Sequence, residues 1–386
     1  MLALFIPLLL IDYIKYKIGW VDYNSTVKKM CLNLAGYNIL YVKCFQWFTN
    51  DTENLELSNF FQLFKDNVPY TEEDIDFEAI KALPLDDVSP RPVNSGTIAL
   101  IFKGTIDGQP VAVKVLRKNI IPKVNTMFKH LTFLQKVVSY FYGTVEFPAK
   151  SYFTDQMDFR KEVQNIETFR LKFKKTVHIR IPQVYPEYTT LNPNVIVMDY
   201  LESYKHKDQW TFDEHKKFNQ IFTRFLVASY FIKDIYHADL HMGNLIFMRT
   251  NTTEEYQIGL IDFGVIGFLT IENQNFIYDL FNILVKNDYR QLAKRFAEYV
   301  TDNTDLIEQI TDTFCAAFEK HNCTDMEQFR HIHLKIIFQV LRQFKLKMED
   351  NMNTYLFSVL SIISTMRTLT TPDEENTLKT IFRKFK

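Results

Sequence analysis

HADLHMGN, residues 237–244, and LIDFGVIGF, residues 260–268, are the stretches whose reading decides the fold. In the first, Asp239 and Asn244 stand five positions apart in a loop rich in polar and small residues. In the second, Asp262 follows an apolar run and precedes Phe263-Gly264, eighteen positions after Asn244. Between them, Leu245–Met248 and Gln257–Ile261 read as two brief strands. Upstream, Thr211–Tyr236 has a helical pattern, and downstream almost everything from Glu272 to Phe385 reads as helix, with few breakers.

Working outward towards the N-terminus, the texture changes. TIALIFKG (97–104) and PVAVKVL (110–116) are β-branched and apolar, separated by Asp107-Gly108, a dipeptide suited to a tight hairpin turn. Ser95–Arg117 is therefore expected to form two antiparallel strands, with Ala112 and Lys114 on one face of the second and the valines on the other. A lysine in so apolar a strand needs a partner, since an unpaired buried charge is costly; the alternative is a lysine on an edge strand. NVIVMDYL (194–201) reads as a further strand, and the three prolines of Leu83–Asn94 mark a linker or turn segment. A small β-rich portion followed by a large helical one is the outline of an α+β, bilobal protein-kinase-like fold.

The chemistry agrees. Phosphoryl transfer is mainly electrostatic, requiring a turn over the phosphates, a lysine, and carboxylate or amide ligands for Mg²⁺. Lys114 is the candidate phosphate lysine, Asp239 the residue that handles the nucleophile, and Asn244 and Asp262 the metal ligands. His237, Asp239 and His241 alternate and could also pass for transition-metal ligands, but other ligands at a recognisable spacing are missing.

Composition sets the remaining bounds. The 386 residues are 47% hydrophobic and 24% charged, the balance of a chain able to bury a core. A formal net charge of −1 provides no field drawing the protein to nucleic acid or to an anionic membrane. Cys31, Cys44, Cys315 and Cys323 include no C-x-x-C pair and read as reduced thiols in an intracellular compartment. The apolar opening Leu2–Ile11 is too short to span a bilayer and fits either a buried helix or contact with a membrane surface. It lacks the marks of a signal or transit peptide.

At these residues the chain resembles the UbiB/AarF (ABC1/ADCK-type) family of atypical protein kinases. HADLHMGN is similar to the family's H-A-D-x-H-P-G-N. NSGTIALIFKGTIDGQPVAVKVLRKNI (94–120) resembles its N-lobe opening, in which a serine- and alanine-bearing turn replaces the usual glycine-rich loop. QMDFRKEVQN (156–165) resembles its E-x-D segment, so that Glu162 matches the helix glutamate that pairs with the strand lysine. VIVMDYLES is similar to its hinge, with Met198 and Asp199 at the nucleotide, and YVKCFQWF falls where the family has K-x-G-Q, matching Lys43 and Gln46.

The resemblance implies Ser95, Gly96, Thr97, Ile98 and Ala99 as the cover over ATP or ADP. It also implies an N-terminal extension (1–82) folded over the nucleotide site, an N-lobe at 83–200 and a C-lobe at 201–386. Members are expected to act in lipid or quinone-related membrane metabolism rather than on proteins, which makes a lipid or a membrane surface the expected partner besides nucleotide. Oligomeric state is not indicated. The chain departs from the family at Phe45, Leu100, Gln156 and Met242. The alternatives are a nucleotide-binding pseudokinase and an ordinary Ser/Thr protein kinase, the latter disfavoured by the missing A-P-E element after Gly264.

Overall fold

In the computed structural model, residues 2–42, 56, 57, 60, 68–142, 154–250, 255–324, 331–346 and 348–369 are described. The chain forms two compact units, one comprising Met1–Glu167 with Pro182–Tyr200, the other Thr168–Ile181 with Leu201–Lys386.

The first unit is built on a five-stranded antiparallel sheet. Strands β3 (Ala99–Ile106) and β4 (Gln109–Leu116) form the expected hairpin, in register from Ala99↔Leu116 to Ile106↔Gln109. Asp107 (φ 49°) and Gly108 (φ 72°) both take left-handed backbone, the conformation that matches the twist of a two-residue hairpin. Strand β6 (Val195–Asp199) pairs on the other side of β4, placing Lys114 between Ile101 and Ile196. Lys114 thus lies on a central strand, which removes the edge-strand alternative.

The proline-bearing 83–94 stretch, expected as a linker or turn segment, consists of turns and bends but also contributes β1 (Asp87–Val88) and the start of β2 (Asn94–Ser95), both paired with β3. Their two-residue length fits the prolines at 84, 90 and 92, which cannot donate to a ladder. Under the sheet, Val111, Val113 and Val115 meet Leu100, Phe102, Val195 and Val197, closed by Ile75, Ala79 and Leu83 from the helix Phe77–Lys81 and its flanks.

Helices Leu2–Lys17 and Tyr23–Tyr37 open this unit. Asp12 is buried and takes a 2.7 Å ion pair from Lys29, while Leu10, Ile11, Tyr13 and Ile14 are exposed. No helix among the described residues is long and apolar enough to cross a membrane.

The second unit holds two small sheets among helices: β5 (Ile179–Arg180), β9 (Tyr256–Leu260) and β8 (Leu245–Arg249) in that order, and β7 (Ile235–His237) paired with β10 (Ile266–Phe268). The helix expected over Thr211–Tyr236 ends at Phe231, and Tyr236 belongs to β7. A capping box of Thr211 and Glu214 starts that helix. Helices Ile271–Lys286, Tyr289–Val300, Thr304–Lys320, His331–Gln343 and Asp350–Leu369 follow, in line with the breaker-poor sequence; the remainder of the expected helical stretch, 370–385, lies outside the described residues. Cys31, Cys315 and Cys323 are buried free thiols; Cys44 lies outside the described residues.

Candidate nucleotide-site residues

In the first unit, alternation along β4 turns Lys114 away from the valine face. Its ammonium donates to Glu162 Oε1 at 2.6 Å, and both side chains are buried, 8% and 1% exposed. Glu162 stands in the first turn of the helix Phe159–Phe173, where the partial positive charge of the helix start favours a carboxylate. Asp158, just before that helix, accepts the Arg160 N–H at 3.2 Å. The Phe159 ring lies 5.6 Å from Lys114 Nζ and is itself fully buried. A paired lysine so enclosed has few alternative places to point.

Ser95–Ala99 forms the tight connection from β2 to β3, closed by Gly96 N–H donating to Ala99 O at 2.9 Å. Gly96 is exposed, whereas Ser95, Thr97, Ile98 and Ala99 are buried. The Ser95 hydroxyl points inward, donating to Val68 O and accepting from Arg117. Met198 and Asp199 close β6 opposite Ala112 and Val111. The Asp199 carboxylate accepts from Gln183 N at 3.1 Å and from the Tyr185 hydroxyl at 3.3 Å. Gln156, where the resemblance leads one to expect glutamate, is 9% exposed. Lys43, Phe45 and Gln46 lie outside the described residues.

In the second unit, β7 delivers His237 and the chain then turns through Ala238–His241 into a single 3₁₀ turn, Met242–Asn244. His237 is buried, and burial pushes its pKa below the ordinary imidazole value despite the opposing charges of Asp239 and Asp262. Its Nδ1 accepts the Asp239 N–H at 3.2 Å. The ring proton of the neutral form therefore sits on Nε2, which faces Ile261 O at 3.4 Å. His237 is thus a structural brace between the loop and the strand leading to Asp262. The neighbouring Phe263 packs 5.3 Å from its ring and 5.1 Å from Phe169.

Asn244 is buried and donates from Nδ2 to Asp239 O at 2.8 Å, which fixes the amide with Oδ1 as its acceptor end. Asn244 O in turn accepts Ile261 N–H at 3.1 Å. The two quoted stretches are thereby stitched together at the backbone. Asp262 itself is exposed and adopts φ 60°, a left-handed conformation uncommon outside Gly, Asn and Asp and frequent at functional sites.

His241 Nδ1 accepts from Gly243 N at 3.1 Å, and its Nε2 lies 4.0 Å from Asp239 Oδ1. Among the described residues, no group of three or more His, Cys, Asp or Glu is arranged to hold a metal ion. The transition-metal reading of His237, Asp239 and His241 therefore has no geometric support.

Sequence reasoning overlooked three supporting residues. Arg117 and Asp74 form a buried ion pair at 2.8 Å beneath the Ser95–Ala99 turn. Thr365, from the last described helix, donates to Leu240 O at 3.0 Å inside the quoted loop. No local pattern marks them, because each matters only through a partner distant in sequence.

Comparison of the sequence with known proteins points to one family. The sequence model of the ABC1 atypical kinase-like domain matches residues 76–296, more than half of the chain. A protein described as probable protein kinase UbiB from Shewanella sp. (strain MR-7) is 24% identical over 359 residues, covering 85% of this chain and 64% of that protein. Its counterpart in Shewanella woodyi is 26% identical over 290 residues, covering 69% and 51%. The chain thus spans between about half and two thirds of the relatives it matches. Among solved structures, the complex of Rv3197 with erythromycin from Mycobacterium tuberculosis aligns at a TM-score of 0.48 and 14% identity, over 77% of this chain and 76% of that one. The Rio2 kinase–ADP/Mg²⁺–phosphoaspartate complex from Chaetomium thermophilum aligns at 0.33 and 11% identity, over 74% and 75%.

Proposed function

The chain belongs to the ABC1 atypical kinase-like family, and from that premise we propose that it is a Mg-ATP-dependent phosphotransferase or ATPase acting in lipid or quinone-related membrane metabolism. The observation that carries this reading is the buried Lys114–Glu162 pair at 2.6 Å, an arrangement suited to holding an ammonium for phosphate. Lys114 takes the charge of the nucleotide phosphates, and Glu162 orients it. The Ser95–Ala99 turn covers the nucleotide, and Met198 and Asp199 flank its base. Lys43 and Gln46 are assigned to the nucleotide by resemblance alone.

Asp239 positions the attacking group, whether water or a small acceptor, and takes its proton. Asn244 and Asp262 fit a hard cation. The asparagine is anchored through its nitrogen with its oxygen as the acceptor, and the aspartate is exposed on constrained backbone. Bound Mg²⁺ would neutralise charge on the phosphates.

Phosphate release from purified protein, measured with Mg-ATP in the presence and absence of detergent-dispersed lipid, tests the reading. Turnover that disappears in Lys114→Ala and Asp262→Asn is expected. Nucleotide binding with no release under any condition would instead favour a nucleotide-responsive binding module. The buried Gln156 in place of a carboxylate is the observation on that side. Membrane contact through the exposed Leu10, Ile11, Tyr13 and Ile14 is tested by flotation with vesicles, comparing the full chain with one lacking residues 1–20.

A further inference from the structure

Arg117 follows β4 directly and is among the largest fully buried side chains in the protein, 1% exposed. A guanidinium offers five N–H donors in a planar fork. Here its Nε donates to Gly96 O at 3.0 Å, and its Nη1 to Asp74 Oδ2 at 2.8 Å. Its Nη2 faces Gly96 O and Ser95 Oγ at 2.9 Å, with Pro69 O at 3.1 Å and Val68 O at 3.3 Å. One side chain therefore joins two stretches of backbone, residues 68–74 and the Ser95–Gly96 start of the turn.

The 68–74 end is itself built. Asp74 closes a 3₁₀ turn, Glu72–Asp74, through a reciprocal capping box with Thr71, and it also takes Lys123 at 2.9 Å. Burial raises the Asp74 carboxyl, but Lys123, the Thr71 N–H and Arg117 together outweigh it and hold the group below the ordinary aspartate value. Val68 N–H donates to Ser95 O at 2.8 Å, and Ser95 Oγ donates to Val68 O at 2.5 Å, so the same two stretches are tied twice more. The segment and the β2 stretch together line a pocket of about 380 Å³ formed by Val68, Pro69, Tyr70, Pro92, Asn94 and Ser95. Hydrogen bonds and a buried ion pair thus tie segment and turn together at several points, forming a polar hub.

We infer that Arg117, anchored by Asp74, is a positioning residue for the Ser95–Ala99 turn, and that residues 68–74 control nucleotide affinity through it. This rests on the reading that the turn covers the nucleotide. Gly96 is the only exposed member of the turn, and its carbonyl receives two of the guanidinium donors. Loosening the hub therefore frees the part of the turn best placed to meet a ligand. Lysine is a poor replacement, because its three donors sit on one nitrogen, whereas the guanidinium contacts here come from three nitrogens held in a planar fork.

The test compares wild type with Asp74→Asn, Arg117→Lys and the milder Ser95→Ala, using a fluorescent ADP analogue, ATP turnover and hydrogen exchange of residues 94–99. Losing a hydrogen bond to a charged group should weaken nucleotide binding and raise KM by about tenfold in Asp74→Asn and Arg117→Lys, with kcat within about threefold. Exchange across 94–99 should accelerate in both. If either variant fails to fold, Ser95→Ala carries the test, with a loss of about two- to fivefold in affinity and faster exchange at the same residues. Folded variants that bind nucleotide as tightly as wild type, or that exchange no faster across 94–99, would overturn the inference while leaving the proposed function standing. Wild type that binds no nucleotide would sink the proposed function instead, and exchange alone would then decide whether the hub holds the turn.

Discussion

Lys114 shows how much one residue asks of its surroundings. Its strand is central, Ile101 and Ile196 flank it across the sheet, the Phe159 ring lies 5.6 Å from its ammonium, and Glu162 lies 2.6 Å away. Removing one member of such a pair strands the other in a poorly solvated place, whereas replacing both with apolar groups is often tolerated. Lys114→Ala is expected to destabilise the protein by about 3 kcal/mol and to abolish turnover. Lys114→Met with Glu162→Leu should recover most of the stability and none of the turnover. Urea unfolding beside phosphate release measures both. If the double variant is no more stable than the single one, the pair is not what makes the position costly. Asp262 illustrates a different constraint, since its left-handed backbone tolerates Asn far better than a β-branched residue. Asp262→Asn therefore isolates the loss of charge from the loss of fold.

At the scale of elements, the second unit holds its loop from below. Strand β10 crosses β7 at Gly267↔Tyr236, and a Cβ on Gly267 would lie 2.1 Å from the Tyr236 ring. Tyr236 stacks on Tyr230 at 5.9 Å and meets Tyr355 edge-on at 5.6 Å, so the ring has nowhere to retreat. Gly267→Ala should destabilise by about 2–3 kcal/mol or more. Gly36→Ala, on the helix Tyr23–Tyr37 with no neighbour within 4 Å, should be neutral or stabilising by up to about 1 kcal/mol. Paired thermal melts distinguish the two. Tyr355 and Thr365 come from the same helix, Asp350–Leu369, which joins the aromatic cluster to the Leu240 carbonyl. Thr365→Val keeps the shape and removes the hydrogen bond, at about 1 kcal/mol. It should lower turnover more than nucleotide affinity, because Leu240 adjoins Asp239. A Thr365→Val protein with wild-type kcat would show that the clamp is only structural.

At the scale of the molecule, each unit contains a buried carboxylate held ionised by its partners. In the second unit, burial raises the Glu214 carboxyl, but Lys205, the Thr211 N–H and the Tyr204 hydroxyl prevail and hold it at about 2, below the ordinary 4.5. In the first, Asp74 is held below its ordinary 3.8. A depressed carboxyl contributes stability that is complete above its unfolded value and is lost as pH falls towards its folded value. Stability should therefore be flat above about pH 5 and fall on acidification from about 4.5 towards 2, with Glu214 accounting for about 1–3 kcal/mol. Glu214→Gln should start less stable and show a shallower acid limb in unfolding measured from pH 6 to pH 3. An acid limb unchanged by that substitution would assign the loss to other groups.

The local chain settled a great deal. Period-two alternation and Asp107-Gly108 specify the β3–β4 hairpin and the face that carries Lys114. The spacing of Asp239, Asn244 and Asp262 specifies a loop and strand order that the fold reproduces, and the breaker-poor tail specifies helices. These signals are legible because turn chemistry and side-chain alternation act over a few residues. Tertiary structure decided what depends on distant partners. It set two short strands in a proline-bearing linker or turn segment, ended a helix early so that Tyr236 could pair with Gly267, and buried Arg117 on Asp74, 43 residues upstream. An arginine's sequence neighbours do not reveal whether a carboxylate and four carbonyl or hydroxyl oxygens will surround it, because only the folded chain brings such acceptors within hydrogen-bond reach while excluding water.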